Sequence, residues 1–236
     1  MKIGGLQKVS LIDFPGKIAT AVFTRGCNFR CQFCHNESLV LPEKFEKPLD
    51  ENEVLHFLGT RVGKIDGVVV SGGEPTLQTD LAEFLEKIKN LGLLTKLDTN
   101  GALPHVLENL YARNLLDYVA MDIKHRLENY EEITSVCVDS GKIKQSIALI
   151  KNSSVDYEFR TTIVPQFHTT EDIKAMAVQL AGAKKFVIQQ FVADHAMNKN
   201  LSSENSIFRP ENGAILTEVA EFCRKYVGEF SWRMAT

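Results

Sequence analysis

The composition of this 236-residue chain is that of an ordinary globular protein, with 44% hydrophobic and 24% charged residues. Its formal net charge of −3 gives no sequence-wide electrostatic basis for binding nucleic acid or an anionic membrane. No apolar run approaches the roughly 18 residues of a membrane span. The N-terminus also lacks the apolar segment of a signal peptide. We therefore expect a cytoplasmic protein that binds neither nucleic acid nor membranes.

Strand and helix signals alternate along most of the chain. A Pro15-Gly16 turn between two strand patterns predicts an N-terminal β-hairpin. Asp50 and Asp80 are each followed three residues later by a glutamate, a pattern typical of helix N-termini. The predicted strands cover residues 2–10, 17–24, 67–71, 93–98, 117–122, 157–164, 185–191 and 229–233. The predicted helices cover residues 50–61, 80–91, 104–113 and 211–226, with one more beginning near residue 170.

This alternation predicts an α/β fold with right-handed crossovers and a largely parallel sheet. About six strand–helix units fit a partial or closed barrel as well as an open doubly wound sheet. Periodicity alone does not distinguish the two. The mixed connection between residues 123 and 156 is not resolved into elements, and the polar segment 193–210 is expected to be a loop.

Three of the five cysteines lie close together in the segment 25–36. Cys27, Cys31 and Cys34 have the spacing C-x3-C-x2-C, and thiolates so arranged select zinc or an iron–sulfur cluster. A closed structural zinc site uses four ligands, usually with its cysteines in two pairs, and no second pair lies nearby. The segment therefore predicts one of two sites. One is a zinc site completed by His35 or a distant group, and the other is a [4Fe–4S] cluster whose fourth iron is open to a ligand.

Other polar motifs follow predicted strands. In Gly72-Gly73-Glu74, two glycines allow close backbone approach and a carboxylate behind them can accept hydrogen bonds from an ammonium group. Asp98 and Thr99 end one strand, and Asp122 and Lys124 end the next. Ligands bind at this edge of parallel α/β folds. Taken singly, however, each of these residues is better explained as a turn former, a helix cap or a solvated charge.

Together the motifs resemble the radical S-adenosylmethionine superfamily, which has this cysteine spacing and an aromatic residue, here Phe33, before the third cysteine. The segments 4–36, 98–101 and 122–124 resemble glycyl radical enzyme activating enzymes, most closely the anaerobic ribonucleoside-triphosphate reductase activating proteins. The resemblance runs from residue 3 to about residue 191. It implies a partial (β/α)6 barrel with an N-terminal β-hairpin extension. We expect a single domain over residues 1–236, with a cluster loop at 25–36 and a C-terminal helix and strand within 210–233.

The resemblance also implies roles for individual residues. The three motif cysteines would bind one [4Fe–4S] cluster, and its open iron would bind S-adenosylmethionine. The residues implied to contact that cofactor are Phe33, Cys34 and His35 beside the adenine, Gly73 and Glu74 at the amino group, and Lys124 near the carboxylate. A monovalent-cation site in a relative corresponds to Asp98, Thr99, Asp122 and the carbonyl of Ala120. Arg160 is expected either to contact the cofactor or to form an ion pair in the core.

The implied reaction is reductive cleavage of S-adenosylmethionine and removal of an α-hydrogen from a glycine of a partner enzyme. The resemblance to reductase activating proteins indicates that this partner is anaerobic ribonucleotide reductase. No ferredoxin-like cysteine set is inserted, so the electron would come from an external flavodoxin or ferredoxin. Relatives that activate pyruvate formate-lyase carry a ligand-binding histidine just after a strand aromatic. Here Val192 follows Phe191, and Gln189, Gln190 or His195 are the candidates for that role.

Two other interpretations remain open from the residues. One is a radical enzyme with the same cofactors that acts on a small molecule or peptide, in a closed pocket lined by the 193–210 loop. The other is a zinc-stabilised interaction module or an electron carrier, in which Glu74, Asp122 and Lys124 would be incidental. Cys137 and Cys223 lie apart from the motif and are assigned no role.

Overall fold

The structure is a computed structural model that describes residues 1–194, 196–204 and 206–234. The described residues form one sheet of eight strands, whose order in space follows their order in sequence. The strands are β1 (Ile3–Ser10), β2 (Ala19–Thr24), β3 (Gly67–Gly72), β4 (Leu94–Thr99), β5 (Tyr118–Asp122), β6 (Asp156–Ile163), β7 (Lys185–Gln190) and β8 (Glu229–Arg233). Strand β1 pairs antiparallel with β2, and each pair from β2–β3 to β7–β8 is parallel.

Helices connect the parallel strands. They are α1 (Glu37–Val40), α2 (Glu51–Arg61), α3 (Leu81–Asn90), α4 (Pro104–Ala112), α5 (Tyr130–Thr134), α6 (Ser140–Asn152), α7 (Thr170–Gln179) and α8 (Gly213–Cys223). Helix α3 buries Leu81, Phe84, Leu85 and Ile88, whose spacing places them on one face. Burial of this apolar face against the sheet is what stabilises a helix of this length.

The strand order decides between the two architectures that periodicity left open. A doubly wound sheet reverses its strand order at a switch point, whereas the order here runs from β1 to β8 without reversal. Because parallel crossovers are right-handed, successive units of this kind curl in one direction. The predicted partial barrel with a largely parallel sheet and an N-terminal β-hairpin is therefore confirmed.

The two predicted helix starts differ in their side-chain chemistry. Asp50 caps α2 by accepting hydrogen bonds from the backbone N–H groups of Asn52 and Glu53. Asp80 stands at the N-cap of α3, but its side chain makes no cap hydrogen bond. Its carboxylate pairs with the amino group of Met1 instead. The predicted capping by Asp80 was therefore wrong, although the helix begins where it was expected.

The remaining differences lie in the connections. The connection between residues 123 and 156, for which the sequence predicted no individual elements, contains α5 and α6. Helix α8 is shorter than the predicted 211–226, because a 3-10 turn at Pro210–Asn212 precedes it. The described part of 193–209 contains no helix or strand, as expected for a loop. Among the described residues, no helix is both long enough and apolar enough to cross a membrane.

Candidate cluster and cofactor site

A cavity of about 250 Å³ lies at the carboxyl ends of the parallel strands. This volume is just below the range of ligand pockets, about 300–1,000 Å³. All the site residues predicted as cluster ligands or cofactor contacts line it, namely Cys27, Cys31, Phe33, Cys34, His35, Gly73, Glu74, Asp98, Thr99, Asp122, Lys124 and Arg160. The fold thus brings together side chains from the cluster loop (residues 25–36) and from the ends of β3, β4, β5 and β6.

The cluster loop holds its three cysteines in a largely buried setting. The backbone N–H of Phe29 donates to Cys27 Sγ at 3.4 Å. The N–H of Asn36 likewise donates to Cys34 Sγ at 3.4 Å. Burial raises the pKa of the Cys27 thiol to about 12, with Glu74 contributing, and burial raises that of Cys31 to about 11. These thiols become thiolates only when a cation binds them, because metal binding displaces their protons.

The arrangement of these thiols fits a [4Fe–4S] cluster. Among the described residues, no three side chains of His, Cys, Asp or Glu converge where a single metal ion would be held. Such a cluster does not need that convergence, because each cysteine binds a different iron. Three thiols with two backbone N–H donors to their sulfur atoms are the protein's share of such a site. The cysteines at 137 and 223 are not among the cavity-lining residues.

The two glycines at the end of β3 have a structural role besides the expected one at the ligand, which stays a prediction. A Cβ on Gly73 would lie 2.1 Å from the carbonyl oxygen of Gly26, and one on Gly72 would lie 2.4 Å from the nitrogen of Thr24. The N–H of Glu74 also donates to the carbonyl of Gly26 at 2.8 Å. The glycines therefore allow two backbone segments to approach each other, which fixes the cluster loop against the end of β3.

Glu74 is buried at the centre of a hydrogen-bond network, with 1% of its surface exposed. Its Oε1 accepts from the N–H and the hydroxyl of Thr76 at 3.1 and 2.5 Å, and from the hydroxyl of Thr99 at 2.7 Å. Its Oε2 accepts from the N–H of Asn100 at 2.7 Å. Burial raises the pKa of Glu74 despite these donors. Since Oε2 accepts only one of these bonds, it is the oxygen best able to accept another from a ligand.

Asn100 was quoted within a motif but was assigned no role from the sequence. Its Nδ2 donates to Asn28 Oδ1 at 2.8 Å, so that it links the end of β4 to the cluster loop. Asn36 makes a similar link, because its Nδ2 donates to the carbonyl of Gly72 at 3.1 Å. Thr162 also lines the cavity. It lies two residues after Arg160 on β6 and hence on the same face, and this alternation was the signal available for finding it.

Five ionisable side chains on β4, β5 and β6 form a charge cluster, consisting of Lys96, Asp98, Asp122, Lys124 and Arg160. Lys96 Nζ contacts Asp98 Oδ1, and Arg160 Nη1 lies 3.3 Å from Asp98 Oδ2. Arg160 Nε donates to Asp122 Oδ1 at 2.9 Å. Lys124 Nζ donates to Asp122 Oδ2 at 3.1 Å. Arg160 thus forms the core ion pair that was one of its two expected roles, and it lines the cavity as well.

The carboxylates of the charge cluster are held ionised by their neighbours. Burial alone would raise the pKa of Asp98, but Arg160 and Lys96 lower it below its ordinary value. For Asp122, burial is likewise outweighed by Arg160 and Lys124, which bring the pKa to about 2. Lys124 is a partly buried partner in an ion pair, with 15% of its side chain exposed, and is not a solvated charge.

The side chains expected to form a monovalent-cation site already contact other groups in the structure. Both oxygens of Asp98 and both oxygens of Asp122 already face cationic side chains. The hydroxyl of Thr99 donates to Glu74 and accepts from the N–H of Gly101 at 3.1 Å. Each of these side-chain oxygens keeps a further lone pair, which a metal cation would have to share with the cationic partners. The monovalent-cation site at Asp98, Thr99, Asp122 and the Ala120 carbonyl therefore stays a prediction.

The segment after β7 reaches the cluster loop. The N–H of Met197 donates to the carbonyl of Cys34 at 2.9 Å, and that of Asn198 to the carbonyl of Gln32 at 2.8 Å. His35 Nε2 lies 2.8 Å from the carbonyl oxygen of Val192. Of the candidates for the missing histidine, Gln189 and Gln190 end β7 and are not among the described residues that line the cavity. His195 lies outside the described residues.

Sequence comparison identifies relatives of the chain. Residues 21–189 match the radical SAM superfamily. The chain is 34% identical, over 95% of its length, to a protein of Methanocaldococcus jannaschii provisionally named a glycyl-radical enzyme activating enzyme, and covers 92% of that protein. It is 32% identical to the pyruvate formate-lyase-activating enzyme of Clostridium pasteurianum, over 75% of this chain and 74% of that enzyme.

Solved structures share the fold. SuiB of Streptococcus suis bound to its precursor peptide SuiA superimposes with a TM-score of 0.70 at 14% identity, over 90% of this chain. The chain spans 48% of that protein. SuiB bound to S-adenosylmethionine gives a TM-score of 0.66 at 14% identity, over 90% of this chain and 49% of that one. The cysteine motif, the barrel and the match over residues 21–189 lead to one conclusion. The chain belongs to the radical S-adenosylmethionine superfamily, whose enzymes use a [4Fe–4S] cluster and S-adenosylmethionine.

Proposed function

We propose that this chain is a glycyl radical enzyme activating enzyme that removes the α-hydrogen of a glycine in anaerobic ribonucleotide reductase. The observation that carries the proposal is the convergence of three thiols, Glu74 and the charge cluster on one cavity. The relationship to the activating enzyme of M. jannaschii over 95% of the chain supports a protein substrate. The resemblance of residues 4–36 to reductase activating proteins favours the reductase among possible partners. Free thiols persist in a reducing compartment, which supports a cytoplasmic location.

In this proposal the cavity residues hold both cofactors. Cys27, Cys31 and Cys34 bind the cluster, and the N–H groups directed at two of their sulfur atoms tune its potential. When both are bound, the cluster and S-adenosylmethionine supply a 5′-deoxyadenosyl radical by one-electron cleavage of the sulfur–C5′ bond. The sequence offers no second cysteine set for another cluster, so an external flavodoxin or ferredoxin provides the electron.

The amino acid end of S-adenosylmethionine fits between two parts of the cavity with opposite character. Glu74 Oε2 is placed to accept from its amino group. Lys124 and Arg160 are placed to attract its carboxylate, because the charge cluster has one more positive than negative group. Phe33 and His35, on the cluster loop, are assigned to the adenine, and Gly73 keeps the turn in place beside them. Removal of a hydrogen atom by a radical needs no acid or base, so these side chains bind, orient and exclude water.

The decisive experiment uses enzyme that is purified without oxygen and reconstituted with iron and sulfide. With dithionite and S-adenosylmethionine, we expect 5′-deoxyadenosine to accumulate. Addition of the anaerobic ribonucleotide reductase of the same organism should then give a glycyl radical signal by electron paramagnetic resonance. Cys31→Ala should lose iron, sulfide and product together. The matched control is Cys137→Ala, because this exposed cysteine lies outside the cavity and its replacement should change none of the three.

The possible results separate the interpretations. A glycyl radical signal on pyruvate formate-lyase and none on the reductase would support an activating enzyme whose partner is not the reductase. Product without a radical on either protein would support a small molecule or peptide as substrate. A reducible cluster that forms no 5′-deoxyadenosine would contradict the radical chemistry altogether. Zinc in place of iron, with folding lost in Cys31→Ala, would indicate the interaction module.

A further inference from the structure

Lys96 is a lysine in the middle of β4 that is removed from solvent, with 0% of its surface exposed. Lysine is rarely buried in this way unless it is paired. It lies two residues before Asp98, so both side chains point to the same face of the strand. Its neighbour in register on β5 is Tyr118, and Nζ lies 5.9 Å from the centre of that ring. The ammonium group is therefore enclosed between a carboxylate and an aromatic face.

The contacts of Lys96 and Arg160 give Asp98 two cationic partners from the chain itself. Its Nζ contacts Asp98 Oδ1, and Arg160 occupies Oδ2 of the same carboxylate at 3.3 Å. Arg160 also reaches Asp122 at 2.9 Å. Three cationic and two anionic side chains leave the charge cluster with one net positive charge. A further cation would add to that charge in a setting of low dielectric, where repulsion between like charges is strong.

We propose that the ammonium group of Lys96 and the guanidinium of Arg160 supply, as permanent parts of the chain, the positive charge that a monovalent metal ion would bring to Asp98 and Asp122. Lys96 is thus a positioning residue: it holds Asp98, which in turn fixes Arg160 at the cavity. The consequence is an enzyme whose binding of S-adenosylmethionine is independent of Na⁺ and K⁺. This inference rests on the proposed function, because it concerns the same cofactor and cavity.

The first measurement is made on the wild-type reconstituted enzyme. The Kd for S-adenosylmethionine is determined by equilibrium dialysis in KCl, NaCl and tetramethylammonium chloride, each at a constant ionic strength of about 0.15 M. The tetramethylammonium ion cannot replace a metal ion, because its methyl groups prevent direct coordination by carboxylate oxygens. We expect Kd values that agree within about twofold, because no metal ion takes part in binding. Binding that tightens on the order of tenfold in K⁺ or Na⁺ would overturn the proposal.

Two variants of Lys96 sharpen the test. Lys96→Ala leaves Asp98 with space beside it, so its Kd should weaken on the order of tenfold in tetramethylammonium and recover in K⁺. Lys96→Met fills the space without charge, so its Kd should weaken equally in all three salts. Lys174→Ala, which removes an exposed pair with Glu218, is the matched control and should bind as the wild type does. A merely structural role for Lys96 predicts no recovery in K⁺, and that result would contradict the proposal.

Melting temperatures in the same salts distinguish the two possible failures. If the variants do not fold, the wild-type comparison still decides the matter. If the intact cluster binds no S-adenosylmethionine in any salt, the proposed function fails. The inference about Lys96 is then judged by whether the melting temperature of the wild-type protein is the same in K⁺ and tetramethylammonium. A specific rise in K⁺ would overturn it, and equal values would support it.

Discussion

Two groups of carboxylates lie side by side at the carboxyl edge of the sheet and have opposite surroundings. Glu74 is buried, whereas Asp98 and Asp122 are partly buried. Glu74 is held by hydroxyl and N–H donors that carry no charge, and its pKa is raised because burial outweighs them. Asp98 and Asp122 are held by Arg160 and two lysines, and their pKa values are lowered despite burial. Within the described residues, Glu74 forms no ion pair, whereas each aspartate faces two cations.

This contrast indicates what each region needs from a ligand. A buried carboxylate without a neighbouring cation is stabilised most by a ligand that carries an ammonium group. The charge cluster is complete in itself, and its surplus positive charge attracts an anion. Neighbouring regions of this kind suit a ligand that carries an amino group and a carboxylate a few ångströms apart, as S-adenosylmethionine does. The predictions below test the contrast, beginning with the largest expected effect.

Removal of the shared cation should damage the charge cluster most. Arg160→Met leaves both aspartates without their common partner, and we expect the free energy of unfolding to fall by about 4 kcal/mol. Urea denaturation measures this change. Lys174→Ala removes an ion pair whose partner, Glu218, is 70% exposed, so it should change the free energy of unfolding only slightly. Equal effects of the two substitutions would show that the cluster is not a stabilised unit.

The turn that carries Glu74 depends on close backbone approach. Gly73→Ala places a Cβ 2.1 Å from the carbonyl oxygen of Gly26, and the cost should be about 3 kcal/mol, the upper end for overpacking. Iron content after reconstitution should also fall, because the cluster loop must move. Gly59→Ala is the matched control, since its Cβ meets nothing within 4 Å and alanine favours the helix by about 1 kcal/mol. A Gly73→Ala protein with normal stability and iron content would refute this account.

A neutral histidine beneath the charge cluster should make the fold sensitive to acid. The Nδ1 atom of His168 accepts from the N–H of Val164 at 3.1 Å, and its Nε2 lies 2.9 Å from the carbonyl oxygen of Lys124. Burial lowers its pKa from 6.5 to about 4. Between these values the unfolded chain binds the proton more tightly, so stability falls as the pH decreases. The loss should approach about 3 kcal/mol at pH 4.

The check is the dependence of urea denaturation on pH. His168→Gln cannot bind that proton, so its stability should decline less between pH 6.5 and pH 4 than that of the wild type. His56→Gln changes an exposed histidine and should leave the wild-type slope intact. Identical slopes for all three proteins would mean that another group causes the acid sensitivity.

The smallest effect on the free energy of unfolding is expected for a substitution of Glu74. Its dependence on pH should differ from that of a substitution in the charge cluster. Glu74→Gln leaves at least one buried donor without an acceptor and should cost about 2 kcal/mol near pH 4.5. Because the pKa of Glu74 is raised in the folded protein, wild-type stability from this group falls as the pH rises above 4.5. The difference between wild type and variant should therefore narrow with rising pH.

Asp122 provides the opposite case. Its folded pKa is about 2, against an ordinary value of 3.8. It therefore contributes stability that is present above pH 3.8 and is lost as the pH falls toward 2. The penalty for Asp122→Asn should shrink in acid, whereas that for Glu74→Gln should shrink at higher pH. If the loss of stability varied with pH in the same way for both variants, the proposed difference between the two regions would be wrong.

Much of the site could be predicted from the sequence because its parts obey local rules. The cysteine motif lies within one short segment, and Glu74, Asp98 and Asp122 each follow an apolar strand. The carboxyl ends of parallel strands meet at one edge, so these residues were expected to share a site, and they do. The missed residues, Asn100 and Asn36 among them, act by fixing one loop against another. No local pattern reports such a contact.

The sequence by itself limited the site to a thiolate-bound zinc ion or cluster, because three thiols within eight residues can bind one such centre whatever the rest of the chain does. The resemblance of the motifs to a known superfamily then indicated the class of chemistry. Only the tertiary structure decided how the charges are paired. Asp98 and Arg160 are 62 residues apart. They meet because the register of β4, β5 and β6 sets Asp98 level with Ala120 and Glu158, only two residues before Arg160 on the same face of β6. In the sequence, Lys96 is a charged residue within an otherwise apolar part of a strand. The curvature of the sheet turns that position inward, where Asp98 is its partner.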